Sequence, residues 1–415
     1  MAWNTLKREG NILATPDTAT TVLFGGDVTF DREHRSYRGR YYLRSVKAGR
    51  HGVIIHKMKR IFDKLFLSPS LRSSVIDVPY EELVRYSGNE KEDSGNDKTA
   101  LSFNIDCISD TSKYEYPFEG IASFLKTKDI VVINLETPLS ETKRTYGFFK
   151  SDPRYAKTLK DSGISLVSLA NNHMFDAGET GLLDTISHLN AAGVSFTGGG
   201  MNLDNARSGK LLTFNDTRFI FLSYTHFCNS DYTSAAGDDP GILPMDIELM
   251  LEDVKTARDK AHLVFVSLHW GYENQPNIHP KQIELAHLLI DRGVDCVVGH
   301  HPHVPHGIEI YKKRPILYSL GNFIFPYCRK MWSDNFLAEI VIDQKRIKGI
   351  KIYPVSGKGQ ELFQPRLLTG ARAASLLREL QIKSLIFDTA ITVRDNIGYI
   401  EVEHSLSPPY AKVEN

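Results

Sequence analysis

The chain has 415 residues, 41% hydrophobic and 24% charged, an ordinary globular composition and enough length for one large domain or two modest ones. Fifty Lys and Arg balance fifty Asp and Glu, so no global field points to nucleic acid or to an anionic membrane. The opening MAWNTLKREGNILATPDT has no apolar run of signal length, and no later stretch approaches the roughly eighteen apolar residues of a membrane span, so the expectation is a cytoplasmic protein without membrane insertion.

The first strand is Thr21-Val22-Leu23-Phe24, loosened by Gly25-Gly26 so that the chain turns and presents Asp27. A long interruption follows. Residues 32–60 are crowded with Arg and Lys around Tyr37, Tyr41 and Tyr42, and read either as the solvated face of an accessory helix or as a lid whose arginines, Arg32 among them, meet an anionic substrate. Residues 81–98, with NEKEDSGNDK, are polar and glycine-broken and read as a mobile loop. From about residue 120 strands and helices alternate as in a parallel α/β sheet. Helices are expected at 117–126, 152–163, 178–192, 246–260, 279–292 and 371–381, with Gly193 and Gly293 closing two of them. Strands are expected at 131–133, 166–169, 194–196, 219–222, 263–266, 296–298, 316–319, 336–342 and 400–402. The fold class is α/β with helices on both sides of central sheet. The domain reading is 1–355, with 33–116 inserted, and 356–415 as an extension packing on the same domain. Nothing in the residues sets an oligomeric state.

The chemistry sits where apolar strands stop. Asp27, Asn134 with Glu136, Asn171-Asn172-His173, His269, and His300, His301 and His303 all follow such runs, and the carboxyl ends of strands are where α/β sheets gather their sites. Singly, Asp27 reads as a helix N-cap, Asn171 and Asn172 as loop formers, and Glu136 before Pro138 as a turn residue. Jointly those readings would all have to coincide at successive strand ends. Carboxylate, carboxamide and imidazole together suit Mn²⁺, Fe or Zn²⁺, so the reading is a divalent metal centre of one or two ions per chain. Cys107, Cys228, Cys296 and Cys328 are isolated, which suggests reduced thiols, with Cys296 in the core. Trp270, Tyr272, Tyr311 and Tyr318 read as packing residues.

With GDVTFDR, NLETPL, ANNHMFDAGETGL, HWGYE, VVGHHPHVPHGIE and YSLGNFIF in this order, the chain resembles the CapA family of bacterial poly-γ-glutamate capsule biosynthesis proteins, which look like relatives of calcineurin-type metallophosphoesterases. That resemblance implies a four-layer αββα sandwich with a two-metal site at the sheet edge. Asp27 would then ligate one ion, Glu136 would bridge, Asn172 and His269 would hold the second, and His301 and His303 would complete the two sides. His173 would protonate a leaving oxygen, with Asp176 orienting it. Glu273, Glu309 and Asn322 fall in matching motifs and are expected to contact substrate or support the ligands. One departure matters: many calcineurin-like enzymes place a histidine two residues after the first aspartate, and here Thr29 stands there. One ion is therefore short of a ligand, for which His34 and His300 are possible substitutes.

Three functions follow as expectations. The first is a metal-dependent hydrolase acting on a phosphoester or a related ester or amide, on an anionic small molecule, peptide or polymer. The second is a metal-independent acid/base enzyme on the same fold, such as a peptide epimerase, needing no cofactor. The third is a non-catalytic role in polymer assembly.

Overall fold

The computed structural model describes residues 19–31, 100–102, 114–145, 149–226, 233–329 and 332–402. Arg32, His34 and the expected lid and loop at 32–60 and 81–98 lie outside them.

The chain first builds half of one sheet. Strands β1 (Thr20–Val28), β2 (Ile130–Leu135), β3 (Leu166–Ser168) and β4 (Ser195–Thr197) run parallel in that order, with helices α1 (Tyr155–Asp161) and α2 (Gly178–Ala192) between them. It then builds a second sheet from β5 (Lys210–Phe214), β6 (Thr217–Thr225), β7 (Leu263–His269), β8 (Cys296–His300), β9 (Ile308–Tyr311) and β10 (Arg314–Leu317), in the spatial order β9-β10-β8-β7-β6-β5. Helices α3 (Ile247–Lys260) and α4 (Pro280–Asp291) belong to this half. The chain returns to the first sheet with β11 (Asn322–Ile324) beside the end of β1, then β12 (Asn335–Asp343) and β13 (Arg346–Val355). Helix α5 (Gly370–Ser384) precedes the last hairpin, β14 (Thr392–Arg394) and β15 (Ile397–Glu401).

Strand alternation explains why the sheets stack. On β1, Val22 and Phe24 face Phe221 and Phe265 of the second sheet, with Phe24 and Phe265 centroids 5.6 Å apart. Leu23 faces the other way, onto Tyr155, Leu159 and Leu182 of α1 and α2. On β7, Phe265 points inward while Val264 and Val266 pack on Met250, Val254 and Leu289 of α3 and α4. The result is helix, sheet, sheet, helix, the expected four layers, and strands buried on both faces read as continuous apolar runs for that reason. Each such phenylalanine contributes about 2–3 kcal/mol by burial. Helix α5 closes one side of the inter-sheet core with Leu376, Leu377 and Leu380 against Ile308, Ile352 and Ile400. Cys296 lies in this core, as expected.

The structure corrects several elements. The helix expected at 117–126 is a 3₁₀ turn, Tyr116–Phe118, and one short turn, Ala122–Leu125; Gly120 between them lies so close to the Pro365 carbonyl oxygen that a Cβ would be 2.7 Å from it. Strands β5, β9, β13 and β14 were not expected, and each joins its partner through two residues that both have positive φ: Asn215-Asp216, Lys312-Lys313, Gln344-Lys345 and Asp395-Asn396. That is the conformation of the two-residue hairpin turn that matches strand twist. Among the described residues no helix is long and apolar enough to cross a membrane.

Candidate metal centre

Two close backbone approaches shape the site. A Cβ on Gly26 would stand 1.9 Å from the Gly321 carbonyl oxygen, and one on Gly299 would stand 2.0 Å from that of Tyr318. The first lets β11 lie against the end of β1, where the Asp27 amide donates to Gly321 (3.1 Å) and Asp27 pairs with Asn322. A register slip between Phe24 and Asp27 sets Asp27 opposite Asn134 of β2. The backbone is also strained here. Of the twelve non-glycine residues with positive φ among those described, eight form the four hairpin turns and Asp388 caps a 3₁₀ helix; the other three are Asn274, His301 and His303. Such conformations cost about 1–3 kcal/mol each and persist where the surroundings hold them, often at functional sites.

The strand ends converge as expected. Asp27 Oδ1 accepts from the Asn134 amide at 2.9 Å and lies 3.3 Å from His300 Nδ1; its Oδ2 accepts from the His301 backbone at 3.2 Å and lies 3.3 Å from His303 Nδ1. The same Asn134 nitrogen is 3.3 Å from His269 Nδ1. His269 Nε2 faces Asn172 Oδ1 at 2.8 Å and His301 Nδ1 at 3.1 Å. Glu136 stands in the middle, its Oε1 at 3.7, 3.9 and 4.0 Å from His269, His303 and His173. Asn171 ties the parts together by donating to the Leu135 carbonyl (2.8 Å) and to Asn134 Oδ1 (3.2 Å).

Among the described residues three sets of side chains could hold a cation, each with ligand atoms within 4.8 Å of one another: Asp27, Glu136 and His303; Glu136, His269 and His301; and Glu273, His301 and His303. Glu136 belongs to two of them, as a bridging carboxylate would. Both its oxygens are fully buried and have no hydrogen-bond partner among the described residues. An orphaned buried carboxylate costs several kcal/mol unless something positive meets it, so the donor set fits one or two divalent cations. Burial pushes the Glu136 carboxyl well above the usual range, helped by the charges of Asp27, Glu273 and Asp176. For Asp27 burial acts in the same sense, but bonds and charge from His300 and His303 win and hold it well below. Burial lowers His269, and brings His301 down to about 4, so both rings are neutral and able to ligate at pH 7. His303 is raised: burial opposes protonation, and the bond to Asp27 overcomes it.

Beside this cluster, His173 Nδ1 meets Asp176 Oδ2 at 2.8 Å, and the same carboxylate oxygen accepts from the Phe149 amide at 2.7 Å. Asn322 Oδ1 is 2.8 Å from His303 Nδ1, so it supports that ring. Glu309 is a correction. Its carboxylate accepts from the Tyr318 hydroxyl (2.6 Å) and meets His287 of α4 (2.8 Å), because alternation along β9 turns Ile308 and Ile310 inward and Glu309 toward the helix. Asn134 has no role of its own in the sequence reading, although its place at the end of the same strand as Glu136 was the available signal, and His300, named there as a possible substitute ligand, has its ring facing Asp27.

Residues 21–327 match the family described as "Bacterial capsule synthesis protein PGA_cap". The chain belongs to this family. It is 35% identical over 270 residues to the capsule biosynthesis protein CapA of Bacillus anthracis, over 62% of this chain and 64% of that protein, so it spans just under two thirds of that relative. It is 30% identical over 298 residues to the PGA biosynthesis protein CapA of Bacillus subtilis (strain 168), over 69% of this chain and 76% of that protein. Among solved structures, a hypothetical protein from Thermus thermophilus superposes with a TM-score of 0.39 at 18% identity, covering 58% of this chain and 93% of that one.

Proposed function

We propose that this PGA_cap protein is a metal-dependent hydrolase of a phosphoester or a related ester or amide, serving poly-γ-glutamate or peptide biosynthesis. The observation that carries the reading is the Glu136 carboxylate, fully buried, without a hydrogen-bond partner among the described residues, and ringed by His173, His269 and His303. In this reading Asp27, Glu136, Asn172, His269, His301 and His303 hold Mn²⁺, Fe or Zn²⁺. Bound there, the cations would supply Lewis acidity toward an ester or phosphoryl oxygen and a lowered pKa for water.

The protein's own groups do the rest. Asp176 fixes the His173 ring through Nδ1, which leaves Nε2 on the side of Glu136, where it holds a proton for a departing oxygen. The Phe149 ring, 4.3 Å from that of His173, limits water on one side. Asn322 fixes His303, and Asn134 fixes Asp27 against His269. The substrate is an anionic small molecule, peptide or polymer. The name of the Bacillus subtilis relative, a PGA biosynthesis protein, supports the link to that polymer, and that of the Bacillus anthracis relative supports a link to capsule biosynthesis.

Metal content of protein purified without chelator, followed by a phosphatase and phosphodiesterase screen with Mn²⁺ or with chelator, tests this. Bound metal with chelator-sensitive turnover is the expected outcome; a chain that takes up no Mn²⁺, Fe or Zn²⁺ overturns it. A second reading is favoured by one distance: His173 Nε2 stands 4.0 Å from Glu136, whose carboxyl burial shifts toward the protonated form. Such a pair could move a proton at a peptide Cα without metal, and deuterium uptake from D₂O into a candidate peptide would reveal it.

A further inference from the structure

The sequence leaves Glu273 either contacting substrate or supporting the ligands. The position of Glu273 argues against the first, for two reasons. A carboxylate facing an anionic ester repels it, whereas the same carboxylate between imidazoles and a cation is satisfied. And its ligand atom lies within 4.8 Å of those of His301 and His303, the two histidines that each also belong to one of the sets containing Glu136.

The loop carrying Glu273 is pinned to the histidine loop from both ends. The Trp270 amide donates to the His300 carbonyl (3.1 Å) and the Asn274 amide to the Pro302 carbonyl (2.9 Å). Asn274 Oδ1 accepts from Trp332 Nε1 at 2.7 Å, and His306 Nε2 donates to the Gln275 carbonyl at 2.8 Å. Asn274 itself has φ 61, and His301 and His303 have φ 92 and 58. Strained backbone on both sides of one donor set, locked by cross-loop hydrogen bonds, is how a ligand carboxylate is preorganised.

Strand β1 supplies less than the resemblance to calcineurin-type metallophosphoesterases implies. Thr29 stands at the place of the second histidine, with its amide on the Ile324 carbonyl (2.9 Å) and its hydroxyl accepting from the Asp31 amide (3.4 Å). It is buried in its own loop. We propose that Glu273 is a metal ligand, closing a third donor set with His301 and His303 and making good the ligand that β1 lacks. This rests on the metal-centre reading above and adds a carboxylate to it.

The test is Mn²⁺ titration of the full chain, stripped with chelator, by calorimetry and by electron paramagnetic resonance of free Mn²⁺. Wild type is expected to take up about two ions. Glu273→Gln is expected to lose one, or to bind it at least tenfold more weakly, and Glu273→Asp to recover part of that loss. His173→Asn should keep both ions, and circular dichroism of every variant checks that it has folded. Unchanged stoichiometry and affinity in folded Glu273→Gln overturns the proposal while leaving the other ligands standing. No uptake by wild type overturns the metal centre itself, and Glu273 with it.

Discussion

Glu136→Gln should have opposite consequences with and without cation. In chelator the wild type carries a buried carboxyl whose two oxygens have no hydrogen-bond partner among the described residues, and an unsatisfied buried polar group costs about 1–3 kcal/mol, more when charged. Glutamine keeps the shape and removes the ionisable group, so the chelated variant should unfold at equal or higher denaturant than wild type. A cation reverses the order. At a free concentration about 100 times its Kd, a ligand that binds only the folded state stabilises it by about 2.7 kcal/mol, falling to about 1.4 kcal/mol for tenfold and about 0.4 kcal/mol for hundredfold weaker binding. Loss of a carboxylate shared by two donor sets should cost at least that range of affinity, since supporting groups alone cost 10–100-fold. The assay is denaturant unfolding of both proteins in chelator and in Mn²⁺, comparing the shift each gains from metal. An equal shift in the two proteins would refute the reasoning, because it would mean that no cation meets Glu136.

Other outcomes follow from the same geometry. Cation uptake should release protons and strengthen as pH rises: burial keeps a proton on Glu136 to higher pH than usual, and Asp27 does so for His303, while His269 and His301 are already neutral. Calorimetry in buffers of different ionisation enthalpy measures this. The chelated protein should behave oppositely. Because the Glu136 carboxyl is raised above its unfolded value, its contribution to stability is complete below the ordinary glutamate range and is lost as pH rises through the folded value, which a pH series of melting curves in chelator reads directly. His173→Asn should lower turnover about 10²–10⁴-fold with metal content unchanged, measured by steady-state kinetics beside metal analysis. Gly299→Ala should destabilise by about 1–3 kcal/mol and reduce metal content, since its Cβ would meet the Tyr318 carbonyl oxygen at 2.0 Å; denaturant midpoints and metal analysis check both.

The inner strands and the donors at their ends were readable because the two kinds of information coincide there. β1, β2, β7 and β8 are buried almost throughout, so they read as apolar runs, and a buried strand that ends in Asp, Asn, Glu or His has little reason to do so except chemistry. The outer strands lack that contrast. β5 alternates between partly buried and exposed residues, and β14 is exposed throughout. Their turns carry no glycine, so Lys312-Lys313 and Gln344-Lys345 look like ordinary polar chain although both residues of each pair hold positive φ. Glu309 misled for a related reason. It lies close after the histidine cluster in sequence, but on an edge strand whose parity sends it to Tyr318 and His287. The strain at Asn274, His301 and His303 is hidden in the same way, because none of them is glycine. A glycine there would adopt the backbone freely but could bring no imidazole to the cluster. The chain keeps the side chain and bears the strain, and that choice separates a loop built to present side chains to a cluster from one built only to turn.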